Sequence, residues 1–81
     1  MEIEWTETAL ADMANLDEGI ARRVKQSVER LAGTGAGDVK LLQDITPPEF
    51  RLRVGDYRVR FHQDHDTMRI IRVRNRREAY R

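Results

Sequence analysis

The stretch Phe50-Arg51-Leu52-Arg53-Val54-Gly55-Asp56-Tyr57-Arg58-Val59-Arg60-Phe61 decides the fold. Its apolar residues recur at every second position, the period of a strand with one buried face. Phe50, Leu52 and Val54 point one way, and Arg51 and Arg53 the other. Gly55-Asp56 marks a turn, in the reverse of the favoured Asp-Gly order. Tyr57, Val59 and Phe61 resume the apolar face, which places Tyr57 in the core. Arg58, Arg60 and His62 resume the basic face. A second turn, Asp64-His65-Asp66-Thr67, leads to a third strand from Met68 to Val73. There Ile70 and Ile71 are adjacent, which predicts a central strand covered on both faces.

Upstream the period changes. Met1, Ile3 and Trp5 alternate with Glu2 and Glu4, a short strand. Thr6 is placed to cap a helix over about residues 7–15, where Ala9, Leu10 and Met13 recur at helical spacing. Asp17 can cap a second helix. In it Ile20, Val24, Val28 and Leu31 make the strongest apolar stripe in the chain. Gly33 is its expected C-cap. Gly33-Thr34-Gly35-Ala36-Gly37-Asp38 lacks the Gly-Lys-Ser/Thr ending of a phosphate loop and follows no strand, so it reads as a connector. Lys40-Leu41-Leu42 reads as a turn packed under the sheet, ended by Pro47-Pro48. The expected fold is α+β: an N-terminal strand, a helix hairpin and a three-stranded antiparallel meander, β-α-α-β-β-β. The strand at the N-terminus is expected to join the same sheet.

A chain of 81 residues is one domain, so residues 1–81 are read as a single unit. There is no cysteine, hence no disulfide framework and no thiolate metal site. No apolar run approaches membrane-spanning length, and no membrane association is expected. Met1-Glu2-Ile3-Glu4 lacks the basic start of a signal peptide, which gives a cytoplasmic expectation.

The net charge of +1 conceals an asymmetry. Residues 1–48 carry five basic and nine acidic groups; residues 49–81 carry ten arginines, no lysine and five acids. Alternation puts Arg51, Arg53, Arg58 and Arg60 on one sheet face within about 10 Å. Arg72, Arg74, Arg76 and Arg77 lie on or just after the next strand and are candidates to join them. No acid at alternate positions is expected to neutralise the cluster. A face of mutually repelling guanidinium groups points to an anionic ligand, and arginine favours bidentate phosphate contacts. The plainer reading is a solvated sheet face.

His62 shares the basic face and is a candidate RNA contact or proton carrier, whereas His65 reads as a solvated turn residue. No third ligand accompanies the two histidines, so no metal is expected, and nothing implies a cofactor. Glu49 and Glu78 are candidate carboxylate bases or salt-bridge partners.

The run from Phe50 to Phe61 resembles the sheet core of RelE-type toxins. The ending Ile71-Arg72-Val73-Arg74-Asn75-Arg76-Arg77-Glu78-Ala79-Tyr80 resembles that family's last strand and its arginine-to-tyrosine tail. The resemblance spans essentially the whole chain. It implies a toxin of the RelE/ParE superfamily, with the microbial RNase fold, from a type II toxin–antitoxin system. Such toxins enter the ribosomal A site, beside 16S rRNA, and cut the mRNA codon there. The 2′-hydroxyl attacks the adjacent phosphate without a metal and leaves a 2′,3′-cyclic phosphate. A cognate antitoxin wraps the toxin in a heteromeric complex.

Carried over by position, the resemblance makes Arg51, Arg53, Arg58, Arg76 and Tyr80 the catalytic set; Arg74 or Arg77 takes the place of Arg76 if the last turn shifts. From their place on or beside the basic face, Arg60, Arg72, Arg74, Arg77 and His62 are the expected RNA contacts. The archetype has lysines where this chain has Arg51 and Arg53. Arginine stays protonated and is a poor base. Tyr80 then takes the proton, or stacks on a codon base. Two other readings share the fold: a ParE-type topoisomerase poison, and a toxin-fold protein that binds RNA without cutting it.

Overall fold

A computed structural model describes residues 1–79. The elements run β1 (Glu2–Trp5), α1 (Glu7–Ala14), α2 (Glu18–Thr34), β2 (Asp38–Leu42), β3 (Glu49–Val54), β4 (Tyr57–Gln63), β5 (Thr67–Asn75) and a short α3 (Arg76–Ala79). The strands form one sheet in the order β1-β5-β4-β3-β2. β1 runs parallel to β5, and the other neighbours are antiparallel. The expected α+β class, with an N-terminal strand, a helix pair and a meander in one sheet, is the observed one.

Two segments differ from expectation. Residues 38–42 are not a turn but an edge strand, paired with β3 from Asp38↔Arg53 to Leu42↔Glu49. The meander therefore has four strands. Charged Asp38 and Lys40 alternate with Val39 and Leu41, a strand pattern too short to separate from a turn by periodicity. Residues 76–79 add a closing helical turn.

Local chemistry explains the helices. The Thr6 hydroxyl accepts the Ala9 N–H at 3.2 Å and caps α1. The Asp17 carboxylate accepts the Gly19 N–H at 3.1 Å and caps α2. The C-cap of α2 is Gly35 rather than Gly33: Gly35 adopts φ 77° and donates its N–H to Leu31 O at 2.9 Å. Left-handed backbone at that position favours glycine, while Gly33 stays inside the helix.

The α2 stripe buries Val24 and Val28 completely. They pack with Ala9 of α1 and with Leu52, Val54, Val59, Phe61, Met68, Ile70 and Val73 of the sheet. Each of these side chains except Ala9 contributes about 1.5–3 kcal/mol on removal from water. Tyr57 packs against this core, as its parity requires. Phe50 stacks on Phe61 with ring centroids 5.5 Å apart.

The Ile70-Ile71 pair has a different cause from the one expected. Phe61 pairs with Ile70 and Arg60 with Arg72, so Ile71 is the extra residue of a β-bulge. The bulge, not burial on two faces, accounts for consecutive apolar residues. Beyond Ile70, β1 no longer covers the edge of β5. Helix α1 takes over: the Thr6 hydroxyl donates to Ile70 O at 2.8 Å, and Asp12 Oδ2 accepts the Val73 N–H at 2.9 Å. The Ile70 carbonyl and the Val73 N–H at the strand edge are thereby satisfied.

Candidate nucleic-acid interface

The face opposite the helices is built by register. Arg51 stands across from Arg60, and Arg53 across from Arg58. Arg58 stands across from Arg74. On the other side, β2 sets Lys40 beside Arg51 and Asp38 beside Arg53. The expected arginine cluster is thus present, and Lys40 extends it. Lys40 was hidden in the sequence because its segment did not read as a strand; its alternation with Val39 and Leu41 is the signal that marks it.

The arginines have different surroundings. Arg53 is exposed and Arg74 half-buried, and neither has an ion pair or hydrogen bond among the described residues. Arg51 keeps 18% of its side chain exposed and lies 4.0 Å from the Asp38 carboxylate. Arg58 is buried at 6% exposure. Its Nη1 donates to Gly55 O at 2.9 Å and Tyr57 O at 3.0 Å, which clamps the β3–β4 turn. Its buried Nε has no partner among the described residues. A buried unpaired donor on a cationic group favours an incoming anion.

Two of the expected contacts are committed within the protein. Arg72 leaves the basic face and makes paired hydrogen bonds to Asp12, at 3.0 and 3.1 Å. Arg60 donates both Nε, at 2.8 Å, and Nη2 to Glu49 Oε2. The expectation that no acid neutralises the face is therefore corrected. Glu49 has the parity of Arg51 and Arg53, and its side chain is only 13% exposed. The face still carries Lys40, Arg51, Arg53, Arg58, Arg60 and Arg74 against two carboxylates, Glu49 and Asp38.

His62 lies on this face beside Glu49, its Nε2 3.4 Å from Oε1. His65 is 97% exposed in the β4–β5 turn. Arg76 and Arg77 are exposed on α3. The Arg76 N–H donates to Asp56 O at 2.6 Å, which ties the tail to the same hairpin turn that Arg58 clamps. Together with Asp56, Tyr57, Asn75 and Glu78 they line an open hollow of about 840 Å³. Tyr80 lies outside the described residues. Among the described residues no three His, Asp or Glu side chains gather as a metal cage, and no helix is long and apolar enough to cross a membrane.

A sheet with a helix pair on one face and excess guanidinium on the other defines an α+β domain with one cationic face. The family described as ParE toxin of type II toxin–antitoxin system, parDE, matches residues 3–80. The chain belongs to that family. Among solved structures, the RelB–RelE antitoxin–toxin complex from Methanococcus jannaschii contains a chain 23% identical, with 95% of this chain and 94% of that one covered at TM-score 0.78. The RelE–RelB complex from Pyrococcus horikoshii gives 20% identity, 93% coverage of each chain and TM-score 0.76. The RelBE2 toxin–antitoxin complex from Mycobacterium tuberculosis gives 28% identity, 91% and 95% coverage and TM-score 0.77. Comparison with curated proteins gave no match.

Proposed function

We propose that this toxin is an endoribonuclease that cuts mRNA in the ribosomal A site by 2′-hydroxyl attack and so arrests translation. The observation that carries this reading is the excess of arginine on one sheet face, with Arg53 and Arg74 unpaired among the described residues. Arg51, Arg53, Arg58 and Arg74 would clamp the phosphate as charge builds on it. Arg76 would hydrogen-bond the leaving 5′-oxygen. Tyr80 would stack on a codon base or take the proton. In the cell a cognate antitoxin would hold the toxin, since the M. jannaschii, P. horikoshii and M. tuberculosis neighbours are toxin–antitoxin complexes.

The family description favours a second reading, a ParE-type topoisomerase poison on the same fold. Induced expression in a bacterial host, followed by primer extension on an abundant mRNA, separates the two. New ends inside codons support the ribonuclease. Intact mRNA with double-strand DNA breaks supports the poison.

A further inference from the structure

Attack by a 2′-hydroxyl needs a group that takes its proton, and arginine cannot. The register that pairs Phe50 with Phe61 and Arg51 with Arg60 sets Glu49 opposite His62. Arg60 holds Glu49 by Oε2. This leaves Oε1 turned toward His62 Nε2, at 3.4 Å. That nitrogen is buried and has no hydrogen bond among the described residues. The imidazole as a whole nevertheless keeps 31% of its surface exposed. Closing that 3.4 Å contact to a hydrogen bond, as catalytic contacts do when substrate binds, would orient the histidine to act as a base through its other ring nitrogen.

Charged groups surround the ring. Glu49 and Arg60 face the ring directly. Arg69 of β5 stands across from His62 and is occupied by Glu4 of β1 at 3.3 Å. By strand spacing and rise, Arg51 lies about 8 Å from His62 along the face, and Lys40, one strand further, about 12 Å. Asp64 follows in the turn. His62 also lines an open groove of about 320 Å³ with Pro47, Pro48, Phe50 and Arg69. This hollow lies next to the ring.

We propose that His62 is the general base of the cleavage and that Glu49 is its positioning residue; this rests on the endoribonuclease reading. Neutral His62 takes the 2′-hydroxyl proton as the O2′–phosphorus bond forms. The phosphorus–O5′ bond breaks, and the 5′-oxygen takes a proton from water. Arg51 and Lys40 hold the phosphate charge. The products are a 2′,3′-cyclic phosphate and a 5′-hydroxyl, and the imidazolium returns its proton to solvent. Tyr80 is then left to stacking.

The test is the pH profile of cleavage of ribosome-bound mRNA by the full chain. The wild type is expected to gain activity with rising pH as its general base loses its proton. His62→Gln keeps an amide toward Glu49 but cannot titrate. It is expected to lose 10²–10⁴-fold in rate, on the order of general-base removal, and to lose that acid limb. Glu49→Gln is expected to lose less and to keep the limb. Tyr80→Phe is expected to keep it as well, and His65→Gln to match the wild type. Thermal melting establishes that each variant folds. A folded His62→Gln that cuts at the wild-type rate with an unchanged profile overturns this proposal alone. A wild-type chain that cuts nothing overturns the endoribonuclease reading and this proposal with it.

Discussion

Asp12 and Arg72 are 60 residues apart in sequence and are joined by two parallel hydrogen bonds, Nε to Oδ2 at 3.0 Å and Nη2 to Oδ1 at 3.1 Å. The same carboxylate accepts the Val73 N–H. One side chain thus covers part of the edge of β5 and withdraws Arg72 from the basic face. Asp12→Ala leaves a half-buried guanidinium and a strand N–H without their acceptor. It is expected to lower stability by about 2–3 kcal/mol, read as a fall in the urea midpoint at constant slope.

The end of α2 gives a paired prediction. Gly35→Ala forces a side chain into left-handed backbone and is expected to cost about 1–2 kcal/mol. Gly33→Ala acts inside the helix, where a Cβ meets nothing within 4 Å. It is expected to stabilise by about 0.5–1 kcal/mol. Thermal melts of the two variants would move in opposite directions. If Gly33 were the cap, the signs would reverse.

RNA binding should separate the cations without an internal carboxylate partner from Arg72, which Asp12 holds. Arg53→Ala, Arg74→Ala and Lys40→Ala are each expected to flatten the plot of log affinity against log salt by about 0.7, one phosphate contact on a single strand. Arg53→Ala and Lys40→Ala should leave stability within about 0.5 kcal/mol, as is usual for exposed positions. Arg72→Ala should lower stability through Asp12 and leave the salt slope unchanged. Binding titrations of an oligoribonucleotide at several salt concentrations check all four.

Most of the fold was legible because its signals are local. The alternation from Phe50 to Phe61 fixed both faces of β3 and β4, and the α2 stripe named Val24 and Val28 as core. The misreadings share a cause, since each depends on a partner distant in sequence. Residues 38–42 become a strand only by pairing with β3. Ile71 is explained only by the slip between β4 and β5. Arg72 has the parity and residue type of its neighbours on the basic face, and its loss to Asp12 depends on how α1 packs against β5. Glu49 was recognised as a carboxylate near the cluster, but its hold on Arg60 and its approach to His62 follow from the β3–β4 register.

The most direct measurement uses purified ribosomes programmed with a defined mRNA and the purified full chain. The account predicts a cut within the A-site codon that leaves a 2′,3′-cyclic phosphate, blocked by a 2′-deoxy substitution at the cut nucleotide and strongly reduced in Arg53→Ala. Intact mRNA under conditions where the chain is folded and binds RNA would contradict it.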